Sequence, residues 1–188
     1  MGAEAHVALL RGINVGGKNK LPMKDLAAMF VAAGCSDVET YIQSGNVVCR
    51  ARASLTKKLA ATIEAAILER FGYRVPVVAR TADELAAVVR HNPFLRAGVD
   101  PAVLHVAFLA TAPSAGRVAA LDPRRSPPDE LSVRGREIYL HLPRGVAKTK
   151  LTNAYFDAAL ATTSTVRNWR TVLALEQMAR SASARGGA

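Results

Sequence analysis

The residues with the clearest chemistry in this chain lie between Arg11 and Pro22, in the run RGINVGGKNKLP. Gly12, Gly17 and Lys18 fit the G-x-x-x-x-G-K part of a phosphate-binding loop, where backbone N–H groups, an ammonium and a magnesium-binding hydroxyl meet the phosphates. The fit stops at Asn19, which stands where Ser or Thr is required. Pro22 also pushes Leu21 out of the helical region, so no helix is expected to open at Lys18, and nucleoside-triphosphate hydrolysis is disfavoured. Anion binding survives. Gly12, Gly16 and Gly17 permit a concavity of successive N–H groups, a nest, and Arg11, Lys18 and Lys20 add charge with no acid before Asp25. The bland alternative is a wide glycine turn with solvated lysines beside it.

Three further groups join these as candidates. Gln43, Ser44 and Asn46 surround a Ser-Gly turn, where they either meet a ligand or serve the hairpin itself. Lys148, Thr149, Lys150, Thr152 and Asn153 open a helix after Arg144 and Gly145, and a helix N-terminus favours an anion, although Thr149 or Thr152 also serves as its cap. Arg167 and Asn168 start the last helix, with Asn168 expected to cap it, Trp169 to be core, and Arg167 to be the residue most free to bind. No metal site is expected: the four histidines have no paired spacing, and Cys35 and Cys49 lie 14 apart without a C-x-x-C, which suits small buried hydrophobes. No cofactor motif and no catalytic order of Ser, His, Asp or Cys stands out.

The elements that must position these residues form a repeated pattern. His6 to Leu10 reads HVALL and His105 to Leu109 reads HVAFL. After the first come the glycine loop, a helix from Pro22 to Gly34, a hairpin of Val38 to Gln43 with Asn46 to Arg50, a helix from Ser54 to Gly72, and a strand at Val75 to Ala79. Thr81 and Glu84 then make a capping box for one more helix. After the second come a weak helix at Ser114 to Leu121 and a hairpin turning at Arg134-Gly135. A helix from about Thr149 to Leu160, an extended piece at Ser164 to Arg167 and the final helix complete it. The loop equivalent to the glycine run is ATAPSAG, without Lys or Asn. Strand-helix-strand-strand-helix-strand, twice, predicts an α+β protein of duplicated ferredoxin-like halves, each βαββαβ plus one helix, with mainly antiparallel sheets. The halves are expected to span 1–94 and 95–188, with a mobile loop at Asp122 to Glu130 and a disordered tail from Ser181 to Ala188.

Composition sets the class. A chain of 188 residues, 50% hydrophobic and 21% charged, can bury roughly 70% of its unfolded surface without disulfides. It has no apolar run near membrane-span length and no secretory signal, so a soluble, cytoplasmic protein is expected. A net charge of +10 favours polyanionic partners, yet 18 of the 25 cations are arginines in an alanine-rich chain, so the lysine clusters carry more information.

The segments HVALLRGINVGGKNKLPMKDL, YIQSGNVV, NPF, KLTN and ATTSTVRNW together resemble the uncharacterised bacterial proteins grouped as domain of unknown function 1697. The resemblance implies two similar ferredoxin-like subdomains and supplies no activity. The positions that match are Arg11, Gly12, Asn14, Gly16, Gly17, Asn19, Gln43, Ser44, Gly45, Asn46, Lys150, Thr152, Asn153, Arg167, Asn168 and Trp169. The expectation is a small anionic ligand at the glycine loop, with sequence-nonspecific nucleic-acid binding and a non-enzymatic protein-interaction module as alternatives. Nucleic-acid readout by base stacking on the central strands is disfavoured, because His6 to Leu10 and Asn46 to Arg50 contain no aromatic residue.

Overall fold

A computed structural model describes residues 3–186. Its strands are β1 (Glu4–Leu10), β2 (Ser36–Tyr41), β3 (Asn46–Ala51), β4 (Val77–Thr81), β5 (Leu104–Leu109), β6 (Glu130–Arg134), β7 (Glu137–His141) and β8 (Ser164–Asn168). Its helices are α1 (Met23–Ala32), α2 (Ala53–Thr56), α3 (Leu59–Phe71), α4 (Ala82–Arg90), α5 (Pro93–Arg96), α6 (Ala115–Ala119), α7 (Asn153–Leu160) and α8 (Trp169–Ala184). β1 and β5 are buried along almost their whole length, which is why neither reads as an alternating strand.

Local chemistry sets the element ends. Pro22 stands at the N-cap position of α1, one residue earlier than a first-turn proline. Gly34, at φ +95, closes α1: its N–H donates to the Val31 carbonyl at 2.9 Å and that of Cys35 to Phe30 at 3.0 Å, the paired bonds of a Schellman motif. The helix expected from Ser54 is broken at Lys57-Lys58. The buried stripe Leu59, Ile63, Ile67 belongs to α3 alone, and α2 has no fully buried residue, only Leu55 packing partly buried on the core. α7 begins at Asn153 rather than Thr149, capped by Thr152, whose Oγ1 accepts from Tyr155 N–H at 3.2 Å. Thr149 accepts instead from Leu151 N–H, two residues on.

Each half builds one four-stranded sheet, in the orders β2-β3-β1-β4 and β6-β7-β5-β8, with every pairing antiparallel. The chain is thus a duplicated α+β fold of ferredoxin-like halves. The copies agree in detail. Leu10 N–H donates to the Gly45 carbonyl and Leu109 N–H to that of Arg136, both at 2.8 Å. The first N–H of the fourth strand donates to a carboxylate of the preceding long helix, Val77 to Glu64 at 2.8 Å and Ser164 to Asp157 at 2.7 Å. The fourth strand ends in a helix cap both times: Thr81 and Glu84 form the reciprocal capping box, and Asn168 Oδ1 accepts from Thr171 N–H at 2.8 Å.

Contacts divide the chain into two compact units, one running to Ala87 and completed by the chain from Ala174 onward, the other Val88–Leu173. The first packs α1 and α3 on the Ala8, Leu10, Val47, Cys49 face of its sheet. The second packs Phe156 and Leu160 of α7 on Ala107, Leu109, Ile138 and Leu140. Cys35 and Cys49 are free and buried in the first core, where a hydrogen bond between the thiols lowers the pKa of Cys35 and, with burial, raises that of Cys49. The stretch expected to be a disordered tail is helical through Ala184, with Ala182 buried, while 187 and 188 lie outside the described residues. Of the Asp122 to Glu130 segment, Glu130 already opens β6 and the rest is irregular but tied inward: Ser126 and Asp129 are buried and Ser126 Oγ donates to Asp129 Oδ2 at 2.7 Å.

Candidate functional site

The Arg11 to Pro22 loop is a small hairpin, not a phosphate-binding loop. Gly16 and Gly17, at φ +58 and +75, supply the two left-handed residues of a type I′ turn, and Val15 pairs with Lys18 across it. Asn14 N–H donates to the Asn19 carbonyl and Lys18 N–H to that of Val15, each at 3.1 Å. These two N–H groups are spent inside the hairpin. The nest expected between Asn14 and Asn19 therefore loses them, and Gly16 and Gly17 keep the N–H groups at the tip that donate to no described protein group. α1 opens only at Met23, beyond Pro22, so no helix dipole reaches Lys18. Asn19, which holds the hydroxyl position of the motif, is at φ +49, and its Nδ2 donates to the Gly12 carbonyl at 2.9 Å.

The loop is locked to the neighbouring turn by its own polar side chains. β1 and β2 run the same way, each antiparallel to β3, so the loop after β1 and the turn after β2 share one edge of the sheet. Asn14, at φ +55, bridges them: its Oδ1 accepts from Leu21 N–H at 2.9 Å, and its Nδ2 donates to the carbonyls of Leu21 and Gln43, both at 2.9 Å. In the turn, Asn46 is fully buried and its Nδ2 donates to Ser44 Oγ at 2.9 Å and the Tyr41 carbonyl at 3.1 Å. Gly45 sits at φ +73, and a Cβ there would stand 2.7 Å from Leu10 Cβ and 2.9 Å from Ile13 Cδ1. Only glycine fits that approach. Ile13 and Leu21 are buried, so both stems of the loop are anchored in the core.

The candidate residues therefore divide by role. Asn14, Asn19, Ser44 and Asn46 are scaffold, and Gly12, Gly16 and Gly17 give the backbone its positive φ values. Lys18, Lys20 and Gln43 are exposed, and Arg11 is half-buried. Among the described residues neither Lys18 nor Lys20 has an ion pair or a side-chain hydrogen bond. The Lys20 carbonyl accepts from Tyr73 Oη at 2.7 Å, and the nearest acid in sequence, Asp25, is taken by Arg70 at the same distance. The sequence does not single out Tyr73, and no signal short of the fold points to it.

In the second unit the expected residues do not form one cluster. Thr152 caps α7, and Asn153 Oδ1 accepts from Ser164 Oγ at 3.1 Å, at the start of β8. Asn168 caps α8 at the other end of that strand, about 13 Å away at 3.3 Å per residue. Arg167, expected to be the freest, donates from Nη1 to Thr165 Oγ1 at 2.8 Å and to the Val166 carbonyl at 2.9 Å, and burial pushes its pKa down to about 10. Lys150 is exposed, with its carbonyl bound by Arg125 Nε at 3.2 Å. Sequence reasoning misses Glu64 and Asp157, although each directly follows a buried apolar residue of its helix, Ile63 and Phe156.

Among the described residues no group of three or more His, Cys, Asp or Glu is placed to hold a metal, and no helix is long and apolar enough to cross a membrane. A hollow of about 350 Å³ in the first unit is lined by Glu4, Ala5, Arg50, Thr81 and Asp83 among others, at the end of β1 away from the loop.

No curated protein matches the chain at a significant level. Among solved structures it is similar to the conserved bacterial protein SP0830 from Streptococcus pneumoniae, at 22% identity and a TM-score of 0.74, over 94% of this chain and 99% of that one. That likeness extends the shared fold to nearly the whole chain. A family model described as "Protein of unknown function (DUF1697)" matches residues 3–139, and the chain belongs to this family.

Proposed function

We propose that the first unit binds a small anionic ligand, a phosphate- or carboxylate-bearing metabolite or nucleotide, on the Arg11 to Lys20 loop beside the Gln43 to Gly45 turn. One observation carries the reading: two lysines without a counter-ion among the described residues stand on a hairpin that Asn14 and Asn19 hold by side-chain bonds, beside a turn that Asn46 braces. A loop that only connected β1 to α1 would not need that bracing. Lys18 and Lys20 supply charge, the N–H groups of Gly16 and Gly17 supply donors at the tip, and the anchored stems keep the ordering cost of binding low. The site is open at the surface, which suits a ligand held by charge-assisted bonds more than by enclosure.

A thermal-shift screen of inorganic phosphate, sugar phosphates, nucleotides and dicarboxylates at millimolar concentration tests this, because a ligand of the folded state raises the melting temperature. A hit should lose about tenfold or more in affinity in Lys18→Ala, the size of one charge-assisted bond. A screen without hits, or a hit that Lys18→Ala and Lys20→Ala both bind normally, removes the proposal.

A further inference from the structure

We infer that the second unit carries a separate nucleotide site at Arg125, where a base stacks on the guanidinium and the phosphate sits among Arg124, Lys148 and Lys150. Two irregular segments meet there through a buried hydroxyl. Ser126 Oγ donates to Asp129 at 2.7 Å and accepts from Lys150 N–H at 2.9 Å, so the chain around residues 124–126 is fixed against that around 148–150. Each segment brings two exposed cations to this junction. The acids close by are engaged: Asp129 with Ser126, and Asp122 Oδ1 with Arg124 N–H at 2.8 Å. None of the four cations has an ion-pair partner among the described residues.

Arg125 distinguishes this patch from a merely basic surface. Its Nε donates to the Lys150 carbonyl at 3.2 Å, and its Cζ lies 4.0 Å from the centre of the Tyr155 ring. Tyr155 is held in turn, its Oη accepting from Asp122 N–H at 3.1 Å. The guanidinium is thus pinned with one side on an aromatic ring, and the Arg125 side chain remains exposed. A fixed guanidinium plane is a stacking surface for a nucleobase, and the cations around it suit phosphate. A bare anion would use the charges alone. The ligand chemistry is the same whether the nucleotide is free or part of a single strand.

The test uses the full chain with two probes, AMP and a labelled oligouridylate about 12 nucleotides long, within the range of single-strand site sizes. Binding of the oligomer should weaken with salt at a slope of up to about −3 if all four cations meet phosphates. Arg125→Ala should weaken whichever probe binds by about tenfold or more, and Arg125→Lys, which keeps the charge and loses the plane, should weaken it as well while leaving the salt slope unchanged. Lys148→Ala should reduce the slope, and Lys57→Ala, a lysine elsewhere on the surface, should bind as the parent does. Binding by neither probe overturns the inference, as does parent-like binding in Arg125→Ala. Full affinity in Arg125→Lys overturns the stacking role. Loss in Lys18→Ala but not in Arg125→Ala places the nucleotide in the first unit, which supports the proposed function and rejects this site.

Discussion

After β1 the chain takes residues 11–22 to reach α1, whereas after β5 it takes only residues 110–114 to reach α6. The two loops leave identical frames. In each, the last residue of the strand donates to the facing hairpin turn, and the next residue donates to the chain entering the fourth strand, Arg11 to Pro76 at 3.0 Å and Ala110 to Thr163 at 2.8 Å. The second loop then closes simply, with Thr111 N–H and Oγ1 on Thr162 Oγ1 at 3.0 and 2.9 Å and Ser114 capping α6. The first inserts a hairpin, buries Ile13 and Leu21 at its stems and exposes Lys18 and Lys20. The difference teaches that the fold needs a short connection here. The hairpin is an addition, in which buried stems can be separated from an exposed tip, the part proposed above to bind the ligand.

The comparison breaks most sharply at Gly45. The equivalent position in the second half is Arg136, whose backbone has no positive φ, while Gly45→Ala would force a Cβ against Leu10 and Ile13 in a left-handed conformation. Strain and overpacking together should cost about 2–5 kcal/mol. Urea unfolding of that variant should show it, and a loss below about 0.5 kcal/mol would mean that the turn relaxes freely. Asn14→Ala comes next: it leaves the Leu21 N–H and the Leu21 and Gln43 carbonyls without their partner, for about 2–3 kcal/mol by the same measurement.

A graded effect should appear in both halves alike. His6 and His105 occupy the same strand position and are buried, and burial lowers the pKa of each, against smaller opposing effects from Glu4 and Glu84 at His6 and from the Val103 backbone at His105. The unfolded chain then takes up protons at a higher pH than the folded one, so stability is complete above the unfolded histidine value of about 6.5 and declines as pH falls below it. His6→Gln and His105→Gln should each flatten that decline in unfolding measurements from neutral to mildly acid pH. If neither does, the histidines are not what titrates. The smallest effect on stability belongs to Lys18→Ala, within about 0.5 kcal/mol, because an exposed tip lysine supports no core. A larger loss would make the tip part of the structural stem.

Much of the frame is legible in the sequence because it rests on local signals. HVALL and HVAFL mark equivalent central strands, Gly34 and Gly72 end helices, and the Thr81–Glu84 box is read directly from spacing. The roles of the loop residues are not legible, because Asn14 and Asn46 look alike in sequence whether they meet a ligand or a carbonyl. Asn14 binds Gln43 across 29 residues, and that pairing exists only after the sheet has formed. The glycines mislead for a related reason: Gly16 and Gly17 suit either a nest or a type I′ turn, and the bond from Lys18 to Val15 decides for the turn. Arg167 looks free because nothing in its neighbours announces that Thr165, two residues back on the same strand face, holds it.

The last helix has a consequence for the order of events on the ribosome. α8 starts in the second unit, where Trp169 and Val172 are buried, and continues past Ala174 into the first, where Ala179 and Ala182 are buried and Arg185 reaches Glu39 at 2.6 Å. The first unit is therefore made of residues synthesised before the second unit and residues synthesised after it. Its sheet can pair as soon as β4 has emerged, but its packing stays incomplete until translation has passed the entire second unit. A nascent chain stalled before residue 174 would hold a complete second sheet and an unfinished first one, and the first would be the more open to proteolysis.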